Sequence, residues 1–241
     1  MWYLSHNAGR SSHSWDNIYI HLPEACCVNN ESLLMLLFLS HHDRLLNVRE
    51  ASRRTCISRS TTSRVLGTLS SRGFLNKVEA GNQVYHSLNG RNPLTLAMCS
   101  LALSLRYSEL GIPGSVSRQI SRFVESCRNL LGEQLLSIVL FGSTARGEAG
   151  KGSDIDLLVM LRSLEDAGKG VDAAAQGVNA SHINKISPTT ITRQAFADEL
   201  RARNALYQSI VKEGIPLFGS EAYLREVFDY LEGAPGWAPR S

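Results

Sequence analysis

From residue 31 the apolar positions come in blocks whose spacing changes along the chain. "ESLLMLLFLS" predicts an apolar helix, "NVREASRRTCI" a short second helix from near Asn47 to near Cys56, and "RSTTSRVLGTLSSRG" a third. Ser58 is placed to cap that third helix and Gly73 to stop it, while Val65, Leu66 and Leu69 fall on one side of it. Two short alternating runs then surround Ala80-Gly81-Asn82 in "FLNKVEAGNQVYHSLN", the pattern of a β-hairpin whose turn needs a positive φ at Gly81 or Asn82. "NPLTLAMCSLALSLRYSEL" predicts a longer helix with one apolar stripe of Leu94, Ala97, Met98, Leu101 and Leu105 and another carrying Leu96 and Leu103. A monomer needs to bury only one stripe, so this helix is either sandwiched between two domains or paired with a second copy of the chain.

After the Gly- and Pro-marked turn in "RYSELGIPGSVSR" the pattern changes to helix (Val116 to about Leu131), strand (Leu135–Phe141), a Gly-Ser turn with a short helix, and strand (Asp154–Leu161). A further strand is expected in "HINKISPTTIT", then one helix or two in "TRQAFADELRARNALYQSIVKEG" with Gly214 as the stop. "IPLFG" reads as a short edge strand that tolerates Pro216, and Ser220 opens a last helix with Leu224, Val227, Phe228 and Leu231 as its packing stripe. The Ala- and Gly-rich "EDAGKGVDAAAQGVNAS" is expected to be a mobile loop at the site mouth, and "GAPGWAPRS" a disordered tail. The division that follows is an N-terminal extension at 1–29, a first domain with its connecting helix at 30–105, a linker at 106–118, a second domain at 119–232 and a tail at 233–241.

Composition leaves room for this plan: 241 residues, 43% of them apolar, can bury one large core or two modest ones. No apolar run reaches the length of a membrane span, and "MWYLSHNAGRSSHSWD" lacks the charged-then-apolar order of a signal peptide, so a cytoplasmic protein without membrane partners is expected. Five cysteines (Cys26, Cys27, Cys56, Cys99, Cys127) form no C-x-x-C pair, which argues against a disulfide framework and a zinc site. The net charge of +3 hides an asymmetry, since residues 44–91 carry 9 basic and 2 acidic side chains whereas residues 132–241 carry 11 basic and 14 acidic. A local basic excess of that size either attracts a phosphate backbone or is simply a solvated face.

Three helices followed by a hairpin resemble the winged helix-turn-helix domain over roughly residues 30 to 90, and "SRSTTSRVLGTLSSRGFL" is similar to the recognition helix of bacterial regulators of that class. The resemblance implies a double-stranded DNA partner. Arg59, Ser60, Thr61, Ser63 and Arg64 would meet base edges and phosphates in the major groove, with Lys77 and the Gly81 wing on the backbone. A homodimer would present two such helices to a two-fold operator.

The acidic half carries the chemistry. "SIVLFGSTARGEAGKGSDIDLLVML" sets a Gly-Ser pair after one apolar run and Asp154 and Asp156 at the start of the next. Strand alternation sends these two carboxylates to the same face, about 7 Å apart along the backbone, where they repel unless a cation sits between them. Gly142 permits close backbone approach, and the N–H groups and hydroxyl at Ser143 could hold a triphosphate tail against a magnesium ion bound by Asp154 and Asp156.

This segment resembles the nucleotidyltransferase superfamily typified by DNA polymerase beta, and most closely its minimal nucleotidyltransferase branch. Gly142, Ser143, Ala145, Arg146, Gly147, Glu148, Ser153, Asp154 and Asp156 stand where that branch has them. The resemblance implies an α/β or α+β domain with a small mixed sheet flanked by helices, behind the winged helix. It also implies Mg²⁺ and an NTP, with ATP the expected one, and Gly142, Ser143, Arg146 and Ser153 as nucleotide-binding residues. Arg146 and Lys151 would add positive charge near the phosphates, although Lys151 serves equally well as a surface residue. An active member usually carries a third carboxylate on a later strand, and here Ser187-Pro188 stands in its place, as in a subgroup with a winged helix fused in front. Glu165, Asp166, Asp172, Asp198 and Glu199 are substitute acids or, more simply, solvated charges.

Two function classes remain. The first is an enzyme that moves a nucleoside monophosphate from an NTP to a protein, RNA or small molecule; antitoxins of this branch, which modify a HEPN-type toxin, give it a concrete and autoregulatory form. The second is a DNA-binding regulator whose transferase domain only senses nucleotide.

Overall fold

Four of the helices in the first half open on a side-chain cap. Asn29, Asn47, Ser58 and Asn92 accept the backbone N–H of Ser32, Glu50, Thr61 and Leu94 and start α1 (Asn30–Ser40), α2 (Val48–Thr55), α3 (Arg59–Ser71) and α4 (Pro93–Glu109). The computed structural model describes residues 29–233 apart from 43, 151, 166 and 181, so the expectations for the N-terminal extension, the tail, Cys26, Cys27, Lys151 and Asp166 lie outside the described residues. α3 ends in a Schellman motif, with Phe74 N–H on Leu69 O and Gly73 N–H on Ser70 O, and Gly73 takes a φ of +75° that its lack of a Cβ allows.

The hairpin expected next is β2 (Leu75–Ala80) and β3 (Gln83–Leu88), turned at Gly81 with φ +59°. A two-residue strand, β1 (Leu46–Asn47), pairs with β3 to give a three-stranded sheet in the order β1-β3-β2. Two residues are too short for any alternation to register, so this strand escapes a pattern reading. Three helices and a hairpin closing on them make a winged helix, its core formed by Leu34, Phe38, Leu46, Val65, Leu66 and Leu75 among others.

α5 (Gly114–Leu131) follows α4 after a turn of residues 110–113, and then comes the second sheet. β4 (Leu135–Phe141), the single-turn α6 (Gly142–Ala145) and β5 (Ile155–Leu161) are joined by α7 (Ala167–Asn179) to β6 (Ile186–Thr192). α8 (Arg193–Arg201), α9 (Ala205–Glu213), β7 (Ile215–Phe218) and α10 (Ser220–Gly233) complete the chain. The strand order is β6-β5-β4-β7, with β5 and β6 parallel and the other pairs antiparallel. Pro188 and Pro216 both sit on edge strands, where a missing N–H costs no ladder bond.

One expectation is corrected here: the Ala- and Gly-rich stretch is not a mobile loop but the helix α7, with Val171, Ala174 and Ala175 buried against α5 and one face of the sheet. Two parallel neighbours need a crossover, and alanines at helical spacing supply a helix for it despite three glycines.

α4 ties the two halves together. Leu96, Cys99 and Leu103 are buried in a core that runs without a break from α1 and α3 to α8, α9, α10 and the second face of the sheet. Ser100 Oγ donates to Ser220 Oγ at 2.7 Å, and Arg106 Nη2 to Ala145 O at 3.3 Å. The other stripe faces outward, with Leu94, Leu101 and Leu105 at 54%, 61% and 56% exposure. Between β3 and α4, Gly90 is buried where a Cβ would collide with the ring of Phe228 on α10. Gly90→Ala is therefore expected to lower the thermal midpoint. Overpacking costs about 1–3 kcal/mol, and each kcal/mol shifts a chain of this size by about 2–4 °C. Differential scanning calorimetry of the full chain measures it, and an unchanged midpoint would contradict the packing described.

Candidate functional site

The site grows out of one row of the second sheet. In register, Phe141 at the end of β4 stands opposite Asp156 on β5, and Asp156 stands opposite Ser187 on β6. Leu157 and Val159 bury into the core under α5 and α7, whereas Leu158 and Met160 bury on the α8–α10 side, so alternation puts Asp156 on the latter side. Asp154 lies just before β5 and is exposed, while Asp156 is half-buried. Burial pushes the Asp156 carboxyl above the ordinary carboxylate range, and the charge of Asp154 pushes the same way; Arg146 opposes them and Glu213 adds to them. Asp154 and Asp156 thus form a pair of like charges, as their spacing implies.

Gly142 is required twice over. It has φ +70°, and a Cβ built on it would collide with the Asp156 carboxylate. The turn it begins, α6, is only four residues long, and its Gly142 N–H is not offered outward but donates to Glu213 Oε1 at 3.3 Å. Ser143 keeps its hydroxyl without a hydrogen-bond partner among the described residues, while Ser153 spends its hydroxyl accepting from Gly150 N–H at 2.9 Å and so shapes the loop before β5. Asn184 braces the same loop by donating to Ser153 O at 2.8 Å.

Arg146 reaches two carboxylates. Its Nε donates to Glu148 Oε2 at 2.7 Å, and its Nη1 to both oxygens of Glu213 at 3.0 Å. These bonds, Glu148 first and Glu213 second, raise the Arg146 pKa further. Glu213 is a site residue that the reading of the sequence missed. The available signal was a carboxylate separated by one residue from the buried Ile210 and Val211 of α9, with Gly214 behind it. The acids weighed as substitutes are elsewhere: Glu165 and Asp172 are exposed, Asp198 pairs with Arg201, and Glu199 accepts from Asn204.

Among the described residues no group of three or more His, Cys, Asp or Glu could hold a metal. Two carboxylates suffice for magnesium when phosphate oxygens and waters complete its octahedron, so this donor set fits an ion that arrives with a triphosphate. Cys56, Cys99 and Cys127 are free thiols.

A second surface belongs to the winged helix. Arg59, Ser60, Ser63 and Arg64 are exposed along α3, and Gly81 is exposed at the hairpin tip. Thr61 is more committed, because its N–H and Oγ1 both bond to Ser58 Oγ in the cap. Ser63, Gly67, Lys77 and Gln83 line one open cleft of about 540 Å³ between α2, α3 and the hairpin, together with Arg49 of α2. Arg49 lies outside the stretch where a recognition helix is sought, and folding brings it in.

A winged helix joined to a mixed sheet with an Asp-x-Asp pair beside a Gly-Ser turn defines a helix-turn-helix protein with a nucleotidyltransferase domain. Residues 120–220 match the nucleotidyltransferase domain family, and residues 32–79 match the IclR helix-turn-helix domain family. A protein of Methanocaldococcus jannaschii, provisionally named protein adenylyltransferase MJ1305, is 47% identical over 45 residues, or 19% of this chain. The match spans 31% of that relative's length. No solved structure matches the chain. Among the described residues no helix is long and apolar enough to cross a membrane.

Gly142→Ala is expected to damage the site more than the fold. A left-handed alanine costs about 1–3 kcal/mol, a few degrees in the melting temperature, whereas a site that takes nucleotide with Mg²⁺ at Asp154 and Asp156 should lose that binding once the Asp156 carboxylate is displaced. Isothermal titration beside thermal denaturation separates the two effects.

Proposed function

We propose that the chain is a cytoplasmic, Mg²⁺-dependent nucleotidyltransferase that moves a nucleoside monophosphate from an NTP, with ATP as donor, to an acceptor hydroxyl. The observation that carries this reading is the Asp156 carboxylate packed against the Gly142 turn, with Asp154 and Arg146 near enough for their charges to act on it. Asp154 and Asp156 would hold magnesium, which when bound neutralises triphosphate charge and aligns the α-phosphorus for in-line attack. The acceptor oxygen would form its bond to that phosphorus as the bond to pyrophosphate breaks, its proton passing to solvent water, and Ser143 would donate its hydroxyl to a phosphate oxygen. The name of the Methanocaldococcus relative favours AMP as the group and a protein as the acceptor. A partner toxin encoded nearby would fit an antitoxin-like role, and an RNA acceptor is the other case to test.

One observation favours a second reading, a regulator that binds nucleotide without turning it over: the row position beside Asp156 on β6 is Ser187 rather than a carboxylate. General-base help is worth about a hundredfold to ten-thousandfold. Either way, Asp154→Asn or Asp156→Asn should weaken Mg²⁺-dependent ATP binding by about tenfold or more, a loss of at least about 1.4 kcal/mol. Isothermal titration with each NTP, then label transfer from α-labelled NTP to co-expressed proteins and to tRNA, separates the readings. Binding without transfer, with transfer appearing in Ser187→Asp, selects the sensor. Transfer that survives the double Asp→Asn variant overturns the site.

The winged helix is proposed to bind duplex DNA at an operator of its own gene as a homodimer, for which the outward Leu94, Leu101 and Leu105 stripe is available. Affinity is expected to fall steeply between about 50 and 200 mM salt as bound phosphates release counterions. The double variant Arg59→Ala, Arg64→Ala should weaken binding and reduce the salt slope by about two, one for each phosphate no longer neutralised. An unchanged slope in a fluorescence-anisotropy titration would leave the basic face merely solvated.

A further inference from the structure

Glu213 is a buried carboxylate, its side chain 10% exposed, at the last position of α9. Burying that charge is costly unless its oxygens are satisfied. Here they are satisfied mainly by the candidate site itself: Oε1 accepts from Gly142 N–H at 3.3 Å, from Arg146 Nη1 at 3.0 Å and from Ser209 Oγ at 2.9 Å, and Oε2 accepts from Arg146 Nη1 at 3.0 Å. The two groups it restrains are the backbone that makes room for Asp156 and an arginine whose charge acts on the Asp156 carboxyl.

Arg146 has a third nitrogen. Glu148 takes Nε at 2.7 Å and Glu213 takes Nη1, while Nη2 has no hydrogen-bond partner among the described residues and the side chain is 37% exposed. An arginine restrained at two of its three nitrogens has given up most of its rotamer freedom before a ligand arrives, and preorganisation of that kind is gained as affinity. We propose that Glu213 is a positioning residue for nucleotide: it holds the Gly142 backbone and splints Arg146 so that Nη2 donates to an oxygen of the triphosphate bound at Asp154 and Asp156. The assignment rests on the nucleotide-binding reading above.

Its sign makes it testable. Glu213 is negative and lies close enough to Asp156 to oppose its ionisation, so by charge alone it repels a triphosphate. If charge were its whole effect, removing it would tighten nucleotide binding; if it splints Arg146, removing it loosens binding. Glu213→Gln keeps the size and one acceptor oxygen while removing the charge. In isothermal titration of the full chain with ATP and Mg²⁺, Kd is expected to rise about tenfold, the order of one charge-assisted hydrogen bond. Arg146→Lys, which keeps the charge but cannot span Glu148 and Glu213, should give a similar rise. The double variant should be little worse than either single one, because both break the same unit. A Kd that is unchanged or lower in Glu213→Gln, or effects that add in the double variant, overturns the assignment. So does a lower melting temperature with an unaltered Kd, which leaves Glu213 a scaffold residue only. If the wild-type chain binds no nucleotide under these conditions, the nucleotide reading itself falls and the assignment with it; that outcome is distinct from a wild type that binds and a Glu213→Gln variant that binds equally well.

Discussion

The register of β5 between β4 and β6 is the constraint on which the geometry of the candidate site depends. Phe141, Asp156 and Ser187 share one row only because Leu157 and Val159 face one apolar layer and Leu158 and Met160 the other. A slip of one residue would move every one of those side chains to the opposite layer, at the cost of burying a carboxylate among leucines. The register is therefore secured by the hydrophobic effect across five consecutive buried positions, Leu157 to Leu161, and Asp156 takes the side that parity leaves it. The close approach of Asp156 to Gly142 follows from the same row, since the turn starts where β4 stops.

The same sheet explains why the winged helix is not a loosely tethered appendage. One face packs under α5 and α7, and the other continues through α8–α10 and α4 into the core of the first half. α4 meets that first-half core through Leu96, Cys99 and Leu103, and its C-terminal Arg106 bonds to Ala145 in the Gly-Ser turn. The exposed face of α3 and the Asp154–Asp156 pair are thus two surfaces standing on one continuous apolar core. A nearby cavity of about 290 Å³ lies between the α4–α5 turn and the loop that carries Gly147 and Gly150.

Charge in the second half is arranged by depth. Exposed pairs such as Arg201–Asp198 and Arg225–Glu221 are solvent-screened interactions between neighbouring turns and contribute little to stability. Glu213 and Glu226 are different, each buried and each paired with an arginine that reaches in from the surface, Arg146 and Arg193. Removing one member of such a pair leaves an uncompensated charge in a poor dielectric, so these pairs set geometry more than they add net stability. Of the two, only the Glu213 pair touches the backbone of the Gly-Ser turn.

Sequence alone determined most of the element order, because it is written in local chemistry. Asn and Ser caps, the Gly73 stop, the Gly81 turn, the alternation of β4 and β5 and the Gly-Ser and Asp-x-Asp spacing all act within a few residues of themselves. It failed where composition and structure diverge: the Ala- and Gly-rich stretch was legible as a loop, and became α7 because the crossover between parallel strands needed a helix and the α5 side of the sheet needed a cover. It failed again at β1, whose two residues pair only because β3 is brought beside them. What tertiary structure alone decided was partnership across distance. Which stripe of α4 is buried, how Arg49 joins Lys77 in one cleft, and that Glu213, more than sixty residues along the chain, restrains Arg146 and Gly142, depend on packing between segments whose own spacing carries no record of one another.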